Sequence, residues 1–87
     1  MHPALSKDAQ TFLESLPAKP FQQITLTLFR LMEHPQPHDS KPLVGAAYAR
    51  VDSGEYRVIY DWTPATVRIA LIGKRNDDNV YRRVKRR

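Results

Sequence analysis

"GEYRVIYDW", residues 54–62, decides the fold of this chain. Its side chains alternate with a period of two. Tyr56, Val58, Tyr60 and Trp62 fall on one face of an extended strand, and Arg57, Ile59 and Asp61 fall on the other. A face built of aromatic rings and a valine has to be covered, so a second layer is required. The same period runs on in both directions. Strands are predicted at about 44–51 and 67–72 as well as 56–62, joined by "DSGE" (52–55) and "TPAT" (63–66).

The covering layer lies upstream. "SKDAQTFLESLP" (6–17) reads as a helix capped by Ser6, with Ala9, Phe12, Leu13 and Leu16 at i, i+3, i+4 and i+7 and Pro17 closing it. A second helix starts near Pro20, a residue suited to a first helical turn, and lines up Phe21, Ile24, Leu28, Leu31 and Met32 until "EHP" (33–35) ends it. The short link "PAK" (17–19) makes the pair an antiparallel hairpin. "HPAL" (2–5) reads as a brief strand, and "HPQPHDSKP" (34–42) as a proline-rich loop. The expected class is α+β. A short N-terminal strand and an antiparallel helical hairpin pack on a mainly antiparallel sheet, and a short C-terminal helix or tail follows Gly73. Residues 1–87 make a single domain.

Composition bounds the function. Eighty-seven residues with 41% apolar content allow one modest core, and no apolar run approaches the roughly 18 residues of a membrane span. "MHPALSKDAQ" lacks the pattern of a signal peptide, so a cytoplasmic protein without a membrane partner is expected. The absence of cysteine excludes disulfide staples and thiolate zinc sites. The net charge of +5 is lopsided: residues 1–43 carry four basic against four acidic side chains, and residues 44–87 carry ten against five. Such an excess either attracts a polyanion, nucleic acid being the commonest, or serves only solubility.

Strand register tells which of these charges become neighbours. With Ser53-Gly54 at the hairpin tip, Arg50 stands opposite Arg57, a like-charge pair that costs stability unless an anion sits between the two. Placing Trp62 opposite Val67 puts Val67, Ile69 and Leu71 on the helix side, and Arg68, Ala70 and Ile72 on the arginine side. Arg57 then faces Ile72, and the chain leaves the sheet as "GKR" (73–75) beside the arginine pair, delivering Lys74 and Arg75. Gly73 permits a sharp exit, after which "DDNVYRR" (77–83) can return Tyr81 to the patch.

Arg50, Arg57, Arg75 and Tyr81 suit the cleavage of RNA. Attack by a 2′-hydroxyl on its own phosphate needs a base, positive charge on the non-bridging oxygens, and a stabiliser for the departing 5′-oxygen. Guanidinium forks match phosphate oxygens and stay charged. A tyrosine is a poor base at its ordinary pKa, but adjacent arginines favour its phenolate. Tyr81 can equally stack on a base, orient the sugar or cap the sheet edge.

At these residues the sequence resembles the RelE/ParE superfamily of small bacterial toxins, and within it the RelE-like messenger-RNA interferases. "GEYRVIYDW", "VRIALIGKR" (67–75) and "VYRR" (80–83) carry the resemblance, with "KPLVGAAYARV" (41–51) and the helical hairpin extending it over nearly the whole chain. The resemblance implies the toxin of a type II toxin–antitoxin pair, which enters the A site of the 70S ribosome and cuts mRNA there without a metal or other cofactor, leaving a 2′,3′-cyclic phosphate. Arg57 would then stabilise the phosphate, Arg75 assist the leaving group, and Tyr81 act as base or position the hydroxyl. Arg50, Lys74, Arg82, Arg83 and Lys85 would hold RNA. Arg50 stands where relatives often have lysine, and Tyr48 where another lysine is sometimes found. The resemblance also implies a cognate antitoxin, and contact with operator DNA only through it.

Other residues carry blander readings. His2, His34 and His38 have no metal-ligand spacing, Glu55 reads as a hairpin residue, and Asp77-Asp78 reads as a helix-start cluster. "RRVKRR" (82–87) is either an electrostatic contact to ribosomal RNA or a disordered tail. Two rival functions fit the same residues: a ParE-type gyrase poison, and a non-catalytic RNA-binding or ribosome-binding module.

Overall fold

The computed structural model describes residues 2–36, 40–42 and 48–75. The order of elements is β1 (His2–Leu5), α1 (Lys7–Glu14), α2 (Ala18–Glu33), β2 (Lys41–Pro42), β3 (Ala49–Ser53), β4 (Tyr56–Trp62) and β5 (Thr66–Lys74). The described strands form one mixed sheet in the order β1-β5-β4-β3-β2, parallel between β1 and β5 and antiparallel elsewhere. This is the α+β architecture expected from the sequence. The expected C-terminal helix or tail lies outside the described residues.

Both helices form where the periodicity placed them. The Ser6 hydroxyl accepts the Ala9 N–H at 3.1 Å, the N-cap bond that satisfies one otherwise unpaired donor of α1. α2 begins at Ala18, before Pro20, because proline fits anywhere in a first turn whose N–H groups have no partner inside the helix. Ala9 and Leu13 from α1, with Ile24, Leu28 and Leu31 from α2, bury themselves against Val51, Val58, Tyr60, Val67, Ile69 and Ile72 of the sheet. Phe12 meets Tyr56 edge-on, with ring centroids 5.9 Å apart. Thr27 of α2 donates to the Ser53 hydroxyl at 2.9 Å, fastening the β3–β4 tip to the helix.

Four expectations about the strands are corrected. Lys41–Pro42 belong to a short strand rather than to the loop; as the edge of the sheet, β2 tolerates a residue without an N–H. Strand β3 is described over Ala49–Ser53, two residues beyond the expected end, because the β3–β4 loop is Gly54-Glu55 instead of Ser53-Gly54. Gly54 has φ +60, and a two-residue hairpin loop of the II′ kind requires glycine at its first position. Every β3–β4 pairing therefore slips by two residues: Asp52, not Arg50, faces Arg57, and Arg50 faces Ile59. A slip of two keeps each side chain on its expected face.

The fourth correction is a β-bulge in β5. Trp62 faces Val67 and Tyr60 faces Ile69 as expected, but Ile59 faces Leu71 and Arg57 faces Gly73, which leaves Ala70 as the extra residue. Beyond the bulge the faces exchange. Ile72 joins the helix-side core in place of Leu71, and Leu71 pairs with Ile59 on the far face, both wholly buried. The unpaired bulge residue is tied down by Ser6, whose hydroxyl donates to the Ala70 carbonyl while its N–H donates to Ile69 O at 2.9 Å. One serine thus caps α1 and secures the irregular point of the sheet.

Candidate functional site

The site is built on the face of the sheet turned away from the helices. Alternation along β3 puts Arg50 and Asp52 there, alternation along β4 adds Arg57 beside Asp52, and the bulge brings Gly73 and the turn at Arg75 to the same rim. The Arg75 N–H donates to Glu55 O at 3.0 Å, and its Nη1 lies 3.5 Å from Gly54 O, so the chain leaves β5 against the β3–β4 loop. On the other side of β3, Lys41 pairs directly with Arg50. Three cations, Arg50, Arg57 and Arg75, therefore gather about Asp52, with Lys41 next to Arg50.

Asp52 organises the cluster. Arg57 Nε donates to its Oδ1 at 2.8 Å and Arg57 Nη2 to its Oδ2 at 3.4 Å, while Arg75 Nε stands 4.0 Å from Oδ2. The Arg57 hydrogen bond, reinforced by the charges of Arg57, Arg75 and Arg50, holds the Asp52 carboxyl below its ordinary value of 3.8 despite partial burial. The like-charge pair expected of Arg50 with Arg57 is thus an acid–base pair of Asp52 with Arg57. The real juxtaposition of like charges is Lys41 with Arg50. Among the described residues the Arg50 guanidinium makes no hydrogen bond or ion pair. A pocket of about 50 Å³ opens between Lys41, Arg50, Val51 and Asp52, on the scale of a few oxygen atoms.

A carboxyl whose folded pKa is depressed stabilises the fold fully above its unfolded pKa, and that contribution disappears as pH falls through the folded value. The Asp52 share of stability is therefore complete above about pH 4 and declines below it. Acid titration of Asp52→Asn beside the parent, followed by circular dichroism, should show a smaller loss of stability below pH 4 in the variant. Parallel curves would remove Asp52 from the acid transition.

Farther along the same face, Arg68 Nε and Nη2 donate to Asp61 Oδ1 and Oδ2 at 2.7 and 2.6 Å, and this pairing holds the already basic Arg68 guanidinium even more firmly charged. Tyr48 lies beside that pair between two open cavities. One of about 360 Å³ is lined by Ala4, Ser6, Asp61, Arg68 and Ala70 among others, and one of about 250 Å³ by Gln36, Lys41 and Trp62 among others. Lys41 lines both the second cavity and the small cationic pocket, so aromatic and cationic surface adjoin.

The residues singled out from the sequence divide into three groups. Arg50, Arg57 and Arg75 share the rim. Lys74 pairs with Tyr56, on the helix-facing side of the strand, so alternation separates it from the arginines. Tyr81, Arg82, Arg83 and Lys85 lie outside the described residues. Sequence reasoning missed Lys41 and Asp52 as members of the cluster. The glycine at position 54, as first residue of a two-residue loop, was the signal that would have brought Asp52 opposite Arg57.

No family model matches the chain, and no curated protein matches it. Solved structures do. The RelE–RelB complex of the archaeon Pyrococcus horikoshii superposes with a TM-score of 0.73 at 25% identity, over 86% of this chain and 94% of that one. The toxin–antitoxin complex RelBE2 of Mycobacterium tuberculosis gives 0.74 at 24% identity, over 85% and 96%. The isolated RelE toxin of Escherichia coli gives 0.74 at 23% identity, over 98% and 96%. With its strand order, helical hairpin and near-complete coverage of these structures, the chain has the fold of the RelE toxins.

Proposed function

We propose that this protein is the toxin of a toxin–antitoxin pair and acts as a ribosome-dependent endoribonuclease that cuts mRNA in the A site. The observation that carries the reading is the rim itself: Arg57 and Arg75, from one strand and the exit of another, converge on a single carboxylate where a phosphodiester could sit, and Arg50 lies on the same face of the adjoining strand. In the reaction the 2′-oxygen attacks phosphorus, the P–O5′ bond breaks, and a 2′,3′-cyclic phosphate and a 5′-hydroxyl result. Arg57 neutralises charge on the non-bridging oxygens, and Arg75 stabilises the departing 5′-oxygen, which takes its proton from water. Tyr81 accepts the proton of the attacking hydroxyl or aligns it. The chemistry assigned to these side chains uses neither a metal nor a cofactor. Arg50, with Lys41 beside it, binds neighbouring phosphates, where each neutralised charge adds salt-dependent affinity. Lys74, Arg82, Arg83 and Lys85 supply further charge for ribosomal RNA.

The antitoxin part of the reading draws on the solved RelE–RelB and RelBE2 complexes of the same fold. It also draws on apolar surface left on the outer side of α2, where Leu26 is 68% and Phe29 56% exposed. Operator DNA is reached through that partner. The testing experiment adds purified protein to a reconstituted translation system and maps messenger ends by primer extension, with a gyrase supercoiling assay alongside. Cuts confined to messengers on ribosomes, with supercoiling untouched, are expected. An intact messenger with inhibited gyrase would replace the ribonuclease with a ParE-type poison, and an intact messenger on salt-sensitively bound ribosomes would leave a binding module.

A further inference from the structure

Asp52 is out of place in a surface meant for a polyanion, and its geometry gives it a purpose. Its carboxylate is hydrogen-bonded along one edge of the Arg57 guanidinium and stands 4.0 Å from Arg75 Nε, and side chains from β3, β4 and the end of β5 converge on it. An oxyanion between two guanidinium groups is what a bound phosphate would be. We propose that Asp52 is a positioning residue of this site, an internal counter-ion that occupies the anion seat between Arg57 and Arg75 and yields it to the substrate phosphodiester. The proposal rests on the ribonuclease reading for its substrate, though the seat itself is a feature of the described residues.

Two physical effects follow with opposite signs. Removing the negative charge leaves Arg50, Arg57 and Arg75 without their common acid, so the rim attracts a polyanion more strongly. Removing the acceptor also frees Arg57 and Arg75 from a shared orientation. Catalysis depends on that orientation, because a guanidinium that must be re-aimed at each turnover loses the benefit of preorganisation. A residue with a merely structural role would weaken binding and cleavage together. Asp52 should instead split them.

The experiment measures both. Binding is read by fluorescence anisotropy with a single-stranded RNA oligonucleotide 2′-O-methylated at every position, which cannot be cut; cleavage is read on translating ribosomes. Asp52→Asn should bind the oligonucleotide about three- to tenfold more tightly, with a salt dependence steeper by about 0.7 in log–log slope, and should cleave at least about tenfold more slowly. Asp52→Glu, which keeps the carboxylate, should stay near the parent in both. Asp52→Ser provides a second neutral variant should the asparagine form fold poorly. Neutral variants that bind no more tightly than the parent, or that cut at the parent's rate, would overturn the proposal. A parent protein that leaves messenger intact would sink the ribonuclease reading, while the oligonucleotide measurement would still decide whether Asp52 competes for the seat.

Discussion

Arg57→Ala is expected to lower messenger cleavage by about 10²- to 10³-fold, the usual loss when one preorganised donor to a developing charge is removed. The expectation rests on how firmly the side chain is placed. Arg57 is only 12% exposed, and its Nε–Nη2 edge is held by Asp52, so the guanidinium has little freedom to point elsewhere. Arg57→Lys should recover little of the loss, because an ammonium is a point charge that cannot reproduce the two-point contact the guanidinium makes with Asp52 or would make with a phosphate. Folding should survive in both variants. Arg75 and Arg50 remain beside the Asp52 carboxylate, which is itself 37% exposed, so no stranded buried charge results, and the lost hydrogen bond and stem packing should cost about 1–3 kcal/mol. Primer extension on translating ribosomes, with a thermal melt of each variant, measures the two quantities separately. Cleavage at the parent's rate by a folded Arg57→Ala protein would exclude this rim as the active site.

The distinction between face and register explains what the sequence disclosed about this rim. The faces of β3 and β4 were legible because burial fixes them: Tyr56, Val58 and Tyr60 alternate with Arg57 and Asp61, and only one parity hides the aromatics. Burial alone left the register open, since a slip of two residues satisfies it equally, and turn chemistry at Gly54 made the choice. In β5 even the face was hidden. Ile69, Ala70, Leu71 and Ile72 are all buried, so the run "IALI" satisfies either parity and gives no sign of where an extra residue enters. The tether that marks the bulge comes from Ser6, more than sixty positions away. Its consequence for the site is direct, because the bulge sets Gly73 opposite Arg57 and delivers Arg75 within reach of Asp52.

Ile24→Ala tests the other half of the molecule, the core that carries the rim, and should destabilise the protein by about 2–5 kcal/mol. Ile24 is wholly buried at the middle of α2, where its side chain helps cover the sheet face formed by Val51, Val58, Tyr60, Val67, Ile69 and Ile72. The gain in helix propensity on going to alanine is only a few tenths of a kcal/mol and cannot offset the cavity. For a domain of this length the total stability is on the order of 4–13 kcal/mol, so the loss is a large share of it and should lower the melting temperature by roughly 10–30 °C. Ile24→Val, which removes one carbon, should cost about 0.5–1.5 kcal/mol and serves as the graded control. The informative comparison is with Arg57→Ala. Ile24 has no contact with the far face of the sheet, so whatever fraction of Ile24→Ala remains folded at low temperature should cut messenger at the parent's specific rate, whereas Arg57→Ala should stay folded and fail to cut. A core variant with impaired specific activity would show that the arginine rim is held less by its own Asp52 contacts than by the packing beneath it.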